Sequence, residues 1–277
     1  MAYKIIGDSC TDITEEMKKT GMVSLVPLTL TIEDEEFVDD ETFNQKEFIT
    51  KMKASPECPK SACPSPERYM QEFEGQEECY VVTLSSRLSG SYNSAVVAKE
   101  MYLEEHPEAK IEIVDSRSAS CGQMLIAVKL RELKEKGLDF EAVKEKITEF
   151  RDTMETKFVL ESLENLRKNG RLSRVTFTIC NVLNIRPVMA ADDGEIVKID
   201  QVRGHNKALM RMIEHIEKDA KDVAHKILGI THCNNPERAE WVKKEILKRL
   251  PFRNCIIVNA AGVSTLYAND GGIIVSY

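Results

Sequence analysis

The chain has 277 residues, of which 42% are hydrophobic, 6% aromatic and 30% charged, enough for one large or two modest α/β domains. Its 38 basic and 46 acidic residues give a net charge of −8, which argues against a protein that binds nucleic acid or an anionic bilayer surface. No hydrophobic run approaches the roughly 20 residues of a membrane span, so we expect no stable insertion into a membrane.

Short apolar runs bounded by turn residues predict the strands of this chain. In chain order we predict strands at 4–8, 23–32, 79–84, 111–114, 158–160, 227–231, 255–258 and 273–275, with hairpins at 34–40 and 186–200. Pro27 places the second strand near a bend or a sheet edge. The segment 56–66 holds four prolines in eleven residues, which predicts a constrained extended loop.

Apolar residues at helical spacing and capping residues predict the helices that alternate with these strands. We predict helices at 12–21, 44–52, 124–136, 139–154, 163–170, 175–183, 203–216 and 236–250, with two more after Ser65 and around Tyr92–Val97. Asp12, followed by Glu15 three positions later, resembles a capping box and is the predicted N-cap of the first helix. For 259–272 we predict a loop.

Alternating strands and helices of 10–18 residues indicate an α/β protein with mostly parallel sheets. We place a domain boundary near residue 155, between an N-terminal domain 1–155 and a C-terminal domain 156–277. Polar residues follow several strands, at Asp8–Ser9, Ser85–Ser91, Asp115–Ser120 and His232. In an open α/β sheet this carboxyl edge is where ligands bind.

The most informative segment is Tyr80-Val-Val-Thr-Leu-Ser-Ser-Arg-Leu-Ser-Gly-Ser-Tyr-Asn-Ser-Ala95, a strand that enters a polar turn and then a helix. Free backbone N–H groups and the positive end of the helix dipole meet at such a helix start, which therefore attracts anions. One serine is explained by helix capping alone. Several hydroxyls beside Gly90 exceed that need, so we expect a bound acidic group.

Three enzymatic interpretations compete with simple binding. Ser89 with His232 and Asp115 would form a serine hydrolase triad, although the G-x-S-x-G turn of such enzymes is not present. A nucleotide site lacks both phosphate-loop and dinucleotide motifs. A metal hydrolase built on Asp8, Asp12 and Asp115 is less economical than a turn and a helix cap at the first two positions.

The eight cysteines show no C-x-x-C spacing and no cluster with histidine. We therefore expect reduced thiols and no metal site. The chain from Met1 leads directly into the first strand without the apolar segment of a signal peptide, which makes the cytoplasm the expected location.

Nine segments resemble one family in order and spacing. They are Ile6-Gly-Asp-Ser, Val26-Pro-Leu, Pro59-Lys-Ser-Ala-Cys-Pro-Ser, Leu84-Ser-Ser-Arg-Leu-Ser-Gly-Ser-Tyr-Asn-Ser-Ala, Val114-Asp-Ser-Arg-Ser-Ala-Ser-Cys-Gly-Gln, Leu166-Arg-Lys-Asn-Gly-Arg, Leu183-Asn-Ile-Arg-Pro-Val, Asp193-Gly-Glu-Ile and Val202-Arg-Gly. With these segments the chain resembles the DegV family, the fatty-acid-binding subunits of bacterial fatty acid kinase.

The resemblance implies a protein without catalytic residues or a cofactor of its own. It implies an apolar tunnel near the domain junction that holds one long-chain fatty acid such as palmitate, stearate or oleate. A partner kinase would phosphorylate the bound carboxylate for phospholipid synthesis. By position, the carboxylate would be held by Ser61, Ala62, Ser89 and Ser264, and Arg171 and Arg203 would face the kinase or the reacting head group.

The chain departs from the family pattern at three positions. Ala62 stands where the family has a serine, so one hydroxyl is missing. Ser264 falls where the family has a histidine that helps to hold the carboxylate, and Cys63 replaces a glutamine. A hydroxyl donates a hydrogen bond but carries no charge. We therefore expect Ser89 to bear more of the head group, and we keep acyl-ester hydrolysis at Ser89 as the alternative function.

Overall fold

The computed structural model of the protein describes residues 3–172 and 185–277. The predicted helix 175–183 lies outside these residues. Within them the strands are β1 Tyr3–Asp8, β2 Ser24–Val26, β3 Thr29–Ile32, β4 Glu35–Val38, β5 Lys60–Ala62, β6 Glu78–Thr83, β7 Lys110–Asp115, β8 Thr156–Val159, β9 Ile185–Asp192, β10 Glu195–Arg203, β11 Ile227–His232, β12 Asn254–Asn259 and β13 Ile273–Ser276.

The α-helices of the same residues are α1 Glu15–Lys19, α2 Gln45–Ala54, α3 Pro66–Phe73, α4 Ser91–Glu105, α5 Cys121–Glu135, α6 Phe140–Asp152, α7 Glu164–Lys168, α8 His205–Asp219, α9 Pro236–Leu247 and α10 Gly262–Ala268. Strands and helices alternate along the chain, and the α/β class is confirmed. No helix of the described residues has the length and apolar character needed to cross a membrane.

A four-stranded sheet, in the order β2-β1-β6-β7, is parallel throughout. Its central strand β6 is buried along its whole length, as expected for a strand with helices on both faces. On one face α3 and α4 contribute the aromatic side chains of Tyr69, Phe73 and Tyr102 to the core. The carboxyl ends of β1, β6 and β7 therefore lie together at one edge of the sheet.

A six-stranded sheet, in the order β10-β9-β8-β13-β11-β12, departs from the prediction of mostly parallel pairing. Only the pair β11–β12 is parallel within it, and its other four strand pairs are antiparallel. The predicted hairpin accounts for one of them, because Asp193 and Gly194 both have positive φ, as a two-residue turn between antiparallel strands requires. Helices α8 and α9 cover one face of this sheet.

Helix α5 packs between the two sheets. Its buried residues share one hydrophobic cluster with Ile5 and Val82 of the four-stranded sheet and with Val258 and Ile274 of the six-stranded sheet. The two sheets therefore share core residues through one helix. The boundary between residues 155 and 156 stays a prediction.

A small three-stranded sheet, in the order β4-β3-β5, carries part of the proline-rich segment. The predicted strand 23–32 is in fact two strands, since β2 ends before Pro27 and β3 leaves for this second sheet. Strand β5 pairs with β3, with Ser61 opposite Leu30 and Ala62 opposite Thr29. This pairing turns the polar end of the proline-rich segment into a defined strand.

Two local predictions near the site were wrong. Helix α1 begins at Glu15 with Thr14 as its N-cap, whose hydroxyl accepts from the Met17 N–H, so Asp12 is not a helix cap. The predicted loop 259–272 contains helix α10, whose first backbone N–H groups are bound by aspartates from distant segments. Both errors have the same cause, because Asp12 and Asp39 serve α10 rather than their own neighbours in sequence.

Candidate functional site

Asp8 ties together the loops at the carboxyl edge of the four-stranded sheet. Its carboxylate is fully buried and accepts from the Leu84 N–H at 2.8 Å, from the Ser91 hydroxyl at 2.6 Å and from Gln123 Nε2 at 2.8 Å. Burial raises the pKa of Asp8, and these hydrogen bonds oppose the increase. Asp8 is thus fully occupied in positioning the turn after β6 and the start of α4.

Between this edge and the six-stranded sheet lies an apolar cavity. The space between its lining atoms, counted together with the open mouth, is about 710 Å³. The lining residues are Cys10, Leu84, Leu88, Arg117, Ser118, Ala119, Ser120, Thr156, Phe158, Leu160, Leu166, Arg171, Ala191, Gly194, Ile196, Val263, Ser264, Tyr267, Ala268 and Ile274.

One polar cluster on the cavity wall is formed by Ser61, Tyr267 and Arg171. The hydroxyls of Ser61 and Tyr267 lie 2.9 Å apart, and the guanidinium carbon of Arg171 lies 5.1 Å from the Tyr267 ring centroid. Arg171 Nε donates to the Leu88 carbonyl at 2.8 Å and Nη1 to the Asn169 carbonyl at 3.0 Å. Among the residues that the structure describes, no carboxylate forms an ion pair with Arg171. The cavity therefore meets a positive charge that its neighbours leave uncompensated.

The two predicted hydroxyl loops lie next to each other. Gly90 packs on the proline-rich segment so closely that a Cβ there would lie 3.2 Å from Cys63 Sγ, and the Ser94 hydroxyl donates to the Pro64 carbonyl at 2.5 Å. Ser89 Oγ accepts from the Ser91 N–H at 3.2 Å. Its own O–H has no acceptor among residues 3–172 and 185–277. The Ser89 hydroxyl thus retains a proton to donate, at the start of the 15-residue helix α4.

A second polar cluster on the cavity wall is acidic. Ser264 lines the cavity, and its hydroxyl faces the thiol of Cys10 at 3.9 Å and the carboxyl of Asp12. Asp12 also accepts from the Ser120 hydroxyl and from the Ala261 N–H. Burial, only partly offset by these hydrogen bonds, raises the pKa of Asp12 to about 7. Any anion beside Ser264 would therefore lie close to a buried acid.

Asp39 closes the amino end of α10. Its two carboxylate oxygens accept from the N–H groups of Gly262 and Val263 at 2.6 and 2.9 Å, and Oδ2 also accepts from the Ser9 hydroxyl at 2.8 Å. Burial raises the pKa of Asp39 to about 6. These bonds hold α10, and with it Ser264 and Tyr267, against the cavity. Residues 264, 267 and 268 are three and four positions apart, so they share one face of the helix.

The structure brings some of the predicted site residues together and separates others. Ser264 and Arg171 line the cavity, Ser61 reaches it through Tyr267, and Ala62 and Ser89 lie in the adjoining loops. Arg203 does not line the cavity and is exposed at the end of β10.

The hydrolase triad is not assembled. Ser89, His232 and Asp115 all lie in the described residues, and no hydrogen bond joins any two of them. His232 Nδ1 instead accepts from the Asn235 N–H at 3.2 Å, and Asp115 accepts from the Ser86 N–H and hydroxyl at 3.1 and 2.5 Å. Within the same residues no group of three histidine, cysteine, aspartate or glutamate side chains is placed to hold a metal ion.

Sequence reasoning missed three residues of this site: Asp12, Asp39 and Tyr267. Asp12 was interpreted as a helix cap, and Asp39 as part of a hairpin. Tyr267 lies in the segment interpreted as a loop. A sequence signal exists only for Tyr267, which follows Ser264 and Val263 at the spacing of one helical face.

Comparison with known proteins identifies similar chains over the full length. A sequence model of the DegV family matches residues 2–277. A DegV domain-containing protein of Streptococcus pneumoniae strain R6 is 37% identical over 281 residues, which span 100% of this chain and 99% of that protein.

Solved structures of similar proteins have the same fold. A DegV family protein of Ruminococcus gnavus, described with vaccenic acid, matches with a TM-score of 0.95 and 44% identity over 100% of this chain and 99% of that chain. The fatty acid kinase B3 protein of Streptococcus pneumoniae, loaded with linoleic acid, matches with a TM-score of 0.91 and 34% identity over the same shares. A DegV family protein of Eubacterium eligens, loaded with heptadecanoic acid, matches with a TM-score of 0.92 and 30% identity over 99% of both chains.

Proposed function

This chain belongs to the DegV family, and we propose that it binds one long-chain fatty acid, with the acyl tail in the apolar cavity and the carboxylate at the polar loops. In this proposal the chain performs no chemistry itself. It presents the carboxylate to a partner kinase that converts it to an acyl phosphate.

One observation carries the proposal. An apolar cavity lined by side chains such as Leu84, Phe158 and Ile274 meets Arg171, a half-buried arginine without an ion-pair partner among the described residues. A ligand that fits both features has a long apolar body and one negative end. A fatty acid has this form, and three of the structural relatives are described with a vaccenic, linoleic or heptadecanoic acid.

The energetics divide between tail and head group. Each buried CH₂ contributes about 0.8 kcal/mol, so a tail of about 15 such groups has on the order of 12 kcal/mol available before the entropy cost of binding. A hydrogen bond to a charged group contributes about 1.5–3 kcal/mol. The tail therefore supplies most of the affinity, and the polar groups at the head end orient the carboxylate, for which the sequence offers Ser61, Ala62, Ser89 and Ser264 as candidates.

The kinase partner is the finer part of the proposal. One relative is a fatty acid kinase B3 protein, which supports a kinase that acts on the bound ligand. Arg203 is exposed and is not among the cavity-lining residues, so it suits contact with such a partner rather than with the lipid. Arg171 lies on the cavity wall, where its guanidinium can contact the head group and stabilise the charge of the transferred phosphoryl group.

The lipid proposal is tested on the purified protein. After gentle purification, organic extraction and mass spectrometry should recover a C14–C18 fatty acid in about one copy per chain. A sample that consistently yields none, and that takes up no oleate when it is added, would reject the proposal. The kinase step is a separate experiment, in which oleate-loaded protein and the cognate kinase with ATP should form acyl phosphate, trapped as the hydroxamate.

A further inference from the structure

Tyr267 lies one turn after Ser264 on helix α10. Tyr267 lines the cavity, and its ring packs under the Arg171 guanidinium. Its hydroxyl is 2.9 Å from Ser61 Oγ, on the strand next to the Gly90 loop. The Tyr267 hydroxyl thus lies beside the cavity, the Arg171 cation and the Ser61 hydroxyl, three features that the proposed head-group site requires.

We propose that Tyr267 is the residue that selects the carboxylate: its O–H donates to one carboxylate oxygen, and Ser61 and Arg171 hold the phenol in place. This inference rests on the proposed fatty-acid function and deepens it. Either hydroxyl of the Ser61–Tyr267 pair can donate to the other, and in the proposed complex Ser61 donates to Tyr267 Oη, which leaves the phenol proton for the ligand. The guanidinium lies over the ring and attracts the carboxylate to the same end of the cavity.

Protonation supports this arrangement. Burial raises the pKa of Tyr267, only partly offset by the Ser61 hydrogen bond and the Arg171 charge, so the phenol keeps its proton at neutral pH. A protonated phenol donates to an anion without bringing a second charge into the cavity. Arg171 supplies the charge and Tyr267 the directed hydrogen bond.

The acidic cluster on the other part of the wall disfavours the alternative placement. A carboxylate at Ser264 would lie beside Asp12, whose own environment already favours the neutral form. The hydroxyls of Ser264 and Ser120 are also engaged with Asp12. A ligand anion at that point would need an additional proton, because two carboxylates in contact do not both ionise. Tyr267 and Arg171 offer the ligand a donor and a cation instead.

The test compares a charged and an uncharged head group on the same tail. Affinities of delipidated protein for oleate and for methyl oleate are measured for the wild type, Tyr267→Phe, Ser264→Ala and the control Tyr102→Phe. The control also loses one phenol hydroxyl, which bonds the Phe73 carbonyl in a separate core cluster. We expect Tyr267→Phe to lower the affinity for oleate about tenfold or more and the affinity for methyl oleate less than about threefold. The reason is that hydrogen bonds to ions are roughly twice as strong as those between neutral groups.

The outcomes separate this inference from the proposed function. If the wild type binds oleate and the affinity of Tyr267→Phe for oleate stays within about twofold of it, the role of Tyr267 is overturned. The proposed fatty-acid function would still stand. Equal losses for acid and ester would also overturn it, since they indicate a role in cavity shape alone. A wild type that binds neither ligand rejects the proposed function as well.

A second variant keeps the test independent of the phenol's contribution to folding. Ser61→Ala leaves the Tyr267 ring in place and removes only the hydroxyl that orients it. We expect about a threefold loss for oleate and no change for methyl oleate. An Ser264→Ala variant that loses oleate affinity more than Tyr267→Phe would move the head group to the acidic cluster and refute the assignment.

Discussion

The buried carboxyl of Asp12 makes the stability of this protein depend on pH in a predictable way. Asp12 is 1% exposed and has no cationic partner among the described residues, so its charged form is disfavoured in the folded chain. We predict that the free energy of unfolding of the wild type falls between pH 6 and pH 8. The free energy of unfolding of the Asp12→Asn variant should fall much less over the same range. This variant keeps a side-chain oxygen to accept from the Ala261 N–H.

The magnitude follows from proton linkage. The carboxyl has a pKa of about 7 when folded and about 3.9 when the chain is unfolded, so the folded state binds the proton more tightly. Its contribution to stability is fully present below about pH 4 and is lost as the pH rises through about 7. From pH 6 to pH 8 the loss is about 1.4 kcal/mol. Asp39, with a pKa of about 6, adds about 0.4 kcal/mol in the same direction.

Chemical denaturation at pH 6, 7 and 8 measures this effect on ligand-free protein. The matched control is Asp115→Asn, since Asp115, at the end of β7, likewise accepts from a serine hydroxyl but is only half-buried. The control should retain the decrease that the Asp12→Asn variant loses. An Asp12→Asn protein with the same decrease as the wild type would show that Asp12 is ionised at low cost and refute the reasoning.

Three further predictions concern the ligand. Ser89→Ala should weaken carboxylate anchoring by about 1.5–3 kcal/mol, the contribution of a hydrogen bond to a charged group, as measured by oleate titration; an unchanged affinity would remove Ser89 from the site. Arg203→Ala should bind oleate normally but lose acyl phosphate formation with the cognate kinase, and normal turnover would exclude a kinase contact at this position. Ala191→Phe places a larger side chain on the cavity wall and should shift the co-purified acids to shorter chains. Each CH₂ that is excluded costs about 0.8 kcal/mol of binding free energy. An unchanged mass spectrum would mean that the tail does not pass Ala191.

Local signals in the sequence were sufficient for much of the fold. Apolar runs and their spacing predicted β6, β7 and the helices that flank them, and Asp193-Gly194 predicted the turn between β9 and β10. These features depend on residues within a few positions of one another. The direction of pairing in the six-stranded sheet could not be predicted from such local signals. Strand β13 pairs with β11 and β8, whose paired residues are at least 41 and 114 positions earlier in the chain.

The candidate site, like the fold, could be predicted from local sequence patterns only in part. The hydroxyl-rich turn before α4 and the proline-rich segment were identified as candidate loops from sequence, and the structure places them in contact. Whether Ser89 and Ser264 bind the carboxylate stays a prediction. That Ser61 meets Tyr267 depends on two segments 206 positions apart, and no pattern within either segment indicates it.

By itself the sequence determined most of the segments that form strands and helices, where the polar turns lie, and which family the chain resembles. Only the tertiary structure decided that Asp39 and Asp12 hold the start of α10, and so that a short segment interpreted as a loop becomes a helix on the cavity wall. The physical reason is that a seven-residue helix is not stable alone and forms when distant groups satisfy its free N–H donors. The same packing buries each aspartate, which raises its pKa, and it sets the place of Tyr267.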